Sequence, residues 1–137
     1  MVGRGKFQVI EQERVLESDD GMGLLWYTNR MHGDFILKID WRVKRRSDNS
    51  GVFIRFSDPG PDPWNAVKTG YEIQIDDLAL SDRRAEHNTG AISDIVRPAT
   101  LASKQVGECF IITNGSQSIT KLYKNANSGS CRAIRIF

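Results

Sequence analysis

The sequence has no long apolar segment. None of its 137 residues lies in a run that approaches the roughly 20 apolar residues of a membrane-spanning helix, which argues against membrane insertion. The first six residues, MVGRGK, also lack the apolar stretch of a signal peptide. The chain is therefore expected either to be cytoplasmic or to begin after a processing site, and its compartment stays open.

Cysteines and unbalanced charge are also scarce. The two cysteines, Cys109 and Cys131, are too far apart for a metal-binding motif, and the sequence leaves open whether they pair. The 19 basic and 17 acidic side chains give a net charge of +2, which is too balanced to indicate a nucleic-acid partner. Hydrophobic residues make up 39% and charged residues 26% of the chain, which at this length predicts one soluble globular domain over residues 1–137.

What the sequence does contain is a period-two alternation of apolar and polar residues, the pattern of half-buried β-strands. The three clearest strands are predicted over residues 35–43, 51–56 and 71–76. Shorter strands are predicted at residues 7–10, 14–17, 24–27, 90–96, 109–113, 118–123 and 132–137.

Turn and loop signals separate these strands. Asp20-Gly21 is a tight-turn signal, and three prolines in five positions from Pro59 predict a surface loop between residues 55 and 71. A second polar loop is predicted over residues 77–88, and no window of helix length has a convincing 3.6-residue period. Many short strands in succession predict an all-β fold, an antiparallel sandwich of two sheets.

The three clearest strands carry an unusual set of polar side chains on their non-core faces. The set consists of Lys38, Asp40, Arg42, Phe53, Arg55, Glu72, Gln74 and Asp76. If the strands are neighbours, these side chains stand about 5 Å apart across the sheet, and Arg55 lies beside a carboxylate. Such a surface suits a sugar, because carboxylates and amides bond to hydroxyls and a ring such as Phe53 or Trp64 can stack on a pyranose. The alternative is a solvated face of cross-strand ion pairs, and the pattern alone favours neither.

Four segments in order resemble motifs of the 3-keto-disaccharide hydrolase domain family. They are GDFILKIDWR at residues 33–42, DNSGVFIR at 48–55, GYEIQIDD at 70–77 and HNTGAI at 87–92. The resemblance is strongest over residues 24–108 and implies a concanavalin A-like jelly-roll sandwich with a carbohydrate-related role. Members of the family are often exported.

The last third of the chain departs from the family pattern. Family domains are also longer, so strands that complete the sandwich are expected to be missing or rewritten at its ends. An incomplete sandwich exposes sheet edges, and exposed edges invite pairing with a second copy of the chain. A homodimer formed through sheet edges is therefore one predicted partnership, beside carbohydrate.

The resemblance implies chemistry on sugars already oxidised to a ketone at C3. The ketone acidifies the hydrogen at C2, so the C1 oxygen can leave by β-elimination. This reaction needs a base near C2, an electrophile near the C3 oxygen and an acid near the leaving oxygen. The candidate base is a carboxylate, Glu72 or Asp76. The candidate electrophile is Arg55 or a metal, and the candidate acid is His87.

Other candidate residues would bind substrate or metal. By position in the family motifs, Gln74 also lies on the concave face, and Asp40 stands where the family usually has Glu. By their own chemistry, Phe53, Trp64 and Asn49 are further candidate sugar contacts. Glu72, Asp76 and His87 are the candidate ligands if a divalent ion such as Mn²⁺ or Ca²⁺ is bound.

Three functions remain open at this point. The first is an enzyme that cleaves 3-keto-disaccharides or 3-keto-glucosides. The second is a non-catalytic carbohydrate-binding module, and the third is an interaction domain of the laminin G-like kind. An open groove lined by the polar set favours the first two, whereas a polar set covered by another chain favours the third.

Overall fold

A computed structural model describes residues 1–45, 47–79, 84–99, 108–113 and 121–123. The strands are β1 Val2–Gly3, β2 Lys6–Ile10, β3 Val15–Asp19, β4 Gly23–Leu24, β5 Ile36–Trp41, β6 Asn49–Ile54, β7 Tyr71–Asp76, β8 Glu108–Thr113 and β9 Lys121–Tyr123. The helical elements are one α-helix, α1 Trp64–Thr69, and one 3₁₀ turn, Ala85–His87. No helix in this described part is long and apolar enough to cross a membrane.

The predicted all-β, antiparallel fold is confirmed. The described residues form small antiparallel sheets consistent with a β-sandwich, with no closed barrel among them. By their contacts they divide into two compact units. One comprises the described residues within Met1, Gly3–Arg42 and Gln105–Phe137, and the other those within Val2 and Val43–Lys104.

The first unit contains the β2–β3 hairpin and the sheet β5-β8-β9. The hairpin runs in register from Lys6 opposite Asp19 to Ile10 opposite Val15. Its neighbouring turn at Asp20-Gly21 has a positive φ at both residues, as the turn signal predicts. In β5 the alternation buries Ile39, as expected for a strand with one face in a core.

The second unit is built on the β6–β7 hairpin, whose register runs from Asn49 opposite Asp76 to Ile54 opposite Tyr71. Its long connection contains α1, which corrects the prediction of a loop without helix. Six residues are too few to produce a helical period in the sequence. Pro63 stands just before the helix, where its missing N–H costs nothing, and Asp62 Oδ1 accepts the Trp64 N–H at 3.0 Å.

A segment after the 3₁₀ turn lies along the other edge of β7. The Gln74 N–H donates to the Ala91 carbonyl at 3.0 Å, and the Ser93 N–H donates to the Glu72 carbonyl at 2.9 Å. The predicted strand over residues 90–96 does not form, because the chain turns back at Asp94, whose φ is 59°. β7 is thus enclosed on both edges, and its last four residues are buried on both faces.

Two further points of the sequence analysis are resolved. Of the three clearest strands, β6 and β7 are neighbours, but β5 pairs with β8 instead. The predicted strand at residues 24–27 is shorter, since β4 ends at Leu24. The predicted strand at 132–137 and part of that at 118–123 lie outside the described residues, as does Cys131.

Candidate functional site

One face of the β6–β7 hairpin carries most of the predicted site. Alternate residues of a strand share a face, and the register sets three pairs side by side. The pairs are Asn49 with Asp76, Gly51 with Gln74, and Phe53 with Glu72. The structure therefore brings together five residues that the sequence singled out, and Gly51 lies among them as a sixth.

The Glu72 side chain folds back over Gly51. A Cβ added at Gly51 would lie 2.6 Å from Cγ and 2.7 Å from Cδ of Glu72, well inside van der Waals contact. The carboxyl thus occupies the volume that any other residue at position 51 would fill. Because Gly51 is opposite Gln74, this places the Glu72 carboxyl beside Gln74 on the same face.

Burial changes the acidity of Glu72. The side chain is half-buried, and loss of hydration raises the pKa of its carboxyl to about 7. The nearby His87 ring opposes this pKa shift, and the negative charge of Asp94 adds to it. No described residue donates a hydrogen bond to this carboxyl. Glu72 therefore changes charge close to neutral pH, where a general acid or base works best.

His87 is held by a carboxylate that in turn binds a cation. Its Nε2 lies 2.9 Å from Asp94 Oδ1, and the same oxygen accepts a hydrogen bond from Arg84 Nη1 at 3.0 Å. The His87 side chain is 17% exposed, whereas that of Asp94 is 66% exposed. The ring is thus largely enclosed and oriented by a partner at the surface.

Asp76 closes a hydrogen-bonded chain at the far end of the face. Its Oδ1 accepts the backbone N–H groups of Leu78 and Ala79 at 3.0 and 2.7 Å. Its Oδ2 accepts Asn49 Nδ2 at 3.3 Å, and Asn49 Oδ1 accepts Gln74 Nε2 at 3.1 Å. Both oxygens of Asp76 are therefore engaged in holding the local structure, with the residue only 4% exposed.

The remaining predicted residues lie elsewhere. Arg55 follows the last residue of β6, is exposed and has a φ of 59°, so the alternation ends one residue before it. Trp64 begins α1 and is 53% exposed. Asp40 lies in β5, within the other unit and paired with β8.

The candidate metal ligands do not form a metal site in the described part of the chain. No group of three or more His, Cys, Asp or Glu side chains there is arranged to hold an ion. The carboxyl of Asp76 already accepts hydrogen bonds from two backbone N–H groups and an amide. Binding of a divalent ion by Glu72, Asp76 or His87 stays a prediction.

Sequence reasoning missed three residues of this site. Asp94 and Arg84 belong to loops and carry no periodic signal, so nothing in the sequence ties them to His87. Gly51 did carry a signal, because a glycine inside a strand pattern indicates close approach of another group.

An antiparallel β-domain with a buried carboxyl beside a carboxylate-held histidine is equipped for acid–base chemistry. The comparisons with known proteins agree with this class. The chain belongs to the family of the 3-keto-alpha-glucoside-1,2-lyase-like domain, whose family model matches residues 2–126. No curated protein and no solved structure matches the chain. The predicted family is therefore confirmed, and membership supports a glycoside-active function in general.

Proposed function

We propose that this domain cleaves the glycosidic bond of 3-keto-glycosides by β-elimination, with Glu72 as the base. The observation that carries the proposal is the half-buried Glu72 carboxyl, with a pKa of about 7, beside His87. An ordinary exposed glutamate is a weaker base toward a carbon acid. A carboxyl whose charged form is disfavoured by burial binds a proton more strongly.

The reaction requires two coupled proton movements. The Glu72 carboxylate takes the C2 proton, and the electron pair of the C2–H bond forms an enolate with the C3 ketone. The enolate then restores the C3 ketone, forms a C1=C2 double bond and expels the C1 oxygen. That oxygen leaves with a proton from His87, which Asp94 orients through Nε2 at 2.9 Å.

Glu72 is a better base than Asp76, the other carboxylate considered. Asp76 is only 4% exposed, and its two oxygens already accept three hydrogen bonds. We assign it to supporting the site. Arg55 is the proposed partner of the developing negative charge at the C3 oxygen, because a guanidinium bonds well to such an anion.

The sugar contacts follow from the same face. Phe53 lies opposite Glu72 in the register and is the proposed stacking surface for the pyranose ring. The predicted contacts Gln74 and Asn49 lie further along this face, where Asn49 is exposed and Gln74 is only 5% exposed. Trp64 is a further proposed contact, supported by its exposure, whereas Asp40 stays a prediction from its position in the family motif.

Turnover of a 3-keto-disaccharide tests the proposal. Glu72→Gln keeps the shape of the side chain but removes the base, so we expect kcat to fall about 10²–10⁴-fold. Glu11→Gln is the matched control, since Glu11 is an exposed turn residue of the other unit, and it should leave the rate unchanged. The same disaccharide with a C3 hydroxyl should be inert, because its C2 hydrogen is not acidic. Full activity of Glu72→Gln would refute Glu72 as the base.

The second candidate function is sugar binding without catalysis. It is favoured by two exposed aromatic side chains of the second unit, Trp64 at 53% and Tyr71 at 49%, since such rings stack on sugars. A binding module would be stabilised against heat by the 3-keto-disaccharide without consuming it. Consumption of the disaccharide that depends on Glu72 decides for the enzyme.

A further inference from the structure

Two features of the β6–β7 face have no role in the reaction steps above. One is the glycine at position 51, whose missing side chain leaves room for the Glu72 carboxyl. The other is the Oε1 atom of Gln74, which is buried and has no hydrogen-bond partner among the described residues. A buried amide oxygen without a partner loses free energy unless something donates to it.

The direction of the hydrogen bonds along the face is fixed by Asp76. Its carboxylate can only accept, so Asn49 must offer it the Nδ2 amine and keep Oδ1 for its own acceptor. Gln74 must then donate its Nε2 amine to that oxygen. The chain of amides therefore leaves the Gln74 carbonyl oxygen as the atom that still needs a donor.

The Glu72 carboxyl is a candidate donor on this face. It lies over Gly51, and Gly51 is directly opposite Gln74 in the register. A carboxyl gains an O–H donor when it is protonated. The unmet acceptor and the group that can supply a proton thus share one small region of the face.

We propose that Gly51 and the hydrogen-bonded chain Asp76–Asn49–Gln74 form a seat for the Glu72 carboxyl. Gly51 leaves the space, and Gln74 Oε1 accepts a hydrogen bond from the carboxyl when the carboxyl is protonated. Its catalytic meaning rests on the proposed function. When the Glu72 carboxylate takes the C2 proton, the new O–H donates to Gln74 Oε1, and no bond of Gln74 changes. Gly51, Asn49 and Gln74 are positioning residues, because they act through Glu72.

Other charged groups also act on Glu72 and must be held constant. His87 influences it from the 3₁₀ turn, and Asp94 does so from the segment that lies along the other edge of β7. From β6, the residues on this face are uncharged, and Asp76 is the remaining acid of β7. None of these charges is altered by the substitutions that follow.

The experiment follows the carboxyl signal of Glu72 by ¹³C NMR through a pH titration of the full chain. In Gly51→Ala the new Cβ displaces the carboxyl toward water, so its titration midpoint should fall by about one pH unit or more. In Asn49→Ala the Gln74 amide can turn and offer its N–H to the carboxylate, so the midpoint should fall by about half a unit or more. Gly33→Ala is the control, because a Cβ there meets nothing within 4 Å.

The outcomes separate this inference from the proposed function. Unchanged midpoints in both folded variants would overturn the seat. Lowered midpoints, accompanied by a matching shift of the acid limb of kcat/KM, support it. If Gly51→Ala does not fold, Asn49→Ala alone decides, since Asn49 is an exposed residue and its truncation leaves no cavity. If the midpoints are lowered in these variants but Glu72→Gln keeps full activity, the seat is supported and the catalytic role of Glu72 is refuted.

Discussion

At the scale of single residues, Glu72 links proton binding to stability. Its pKa rises from an ordinary 4.5 to about 7 on folding, chiefly because burial disfavours the charge. Between these two values the folded state holds more protons than the unfolded state. The stability that Glu72 contributes is therefore complete below about pH 4.5 and is lost as the pH rises through about 7.

This linkage predicts that Glu72→Gln is less sensitive to pH than the parent chain. Between pH 5 and pH 8 the free energy of unfolding should fall by an amount on the order of 3 kcal/mol in the parent and by much less in the variant. Urea unfolding at the two pH values measures it, with Glu11→Gln as the control that keeps the parental slope. Equal slopes for Glu72→Gln and the parent would contradict the burial of this carboxyl.

The same scale shows where sequence reasoning reached its limit within the site. Glu72 and Gln74 could be assigned to one face from alternation alone, because strand geometry sends alternate side chains the same way. The partners of His87 could not, since Asp94 reaches the ring through a loop with a positive φ at its turn. The different roles proposed for Glu72 and Asp76 also depend on hydrogen bonds that the local sequence does not encode.

At the scale of secondary structure, Gly70 joins α1 to β7 in a tight corner. A Cβ at this position would lie 2.7 Å from Phe56 Cβ and 2.8 Å from the Ile54 carbonyl oxygen. Gly70→Ala must therefore push the helix or the strand aside, which should destabilise the fold by about 1–3 kcal/mol.

The urea midpoint of Gly70→Ala, compared with that of Gly33→Ala, checks this expectation. The control adds the same methyl group in open space and should stay within about 0.5 kcal/mol of the parent. A Gly70→Ala protein as stable as its control would mean that the corner is looser than the contacts of Gly70 indicate.

Element prediction succeeded for the described strands of five residues or more. β2, β3, β5, β6, β7 and β8 all lie where the alternation predicts them. It failed for α1, which is too short to display a period, and for residues 90–96, which lie along β7 but turn back at Asp94. Alternation also does not encode which strands pair, and β5 bonds to β8 while β6 bonds to β7.

At the scale of the whole molecule, the homodimer stays a prediction. β6 bonds to β7 on one side, and no described residue pairs with its other side. Unpaired N–H and C=O groups along such an edge favour association with a second copy. Light scattering across a range of concentrations should then give a mass that rises from 15.5 kDa toward twice that value. A mass that stays at 15.5 kDa throughout would contradict pairing through this edge.

The space above Gly51 also restricts how the chain can diverge over evolutionary time. The Glu72 side chain occupies the volume that a side chain at position 51 would need, so a side chain at position 51 clashes with the glutamate at position 72. Where a descendant acquires a side chain at position 51, we expect the glutamate at position 72 to have been shortened or replaced in the same lineage. Correlated replacement of these two positions among related sequences would follow from the absence of a side chain at Gly51.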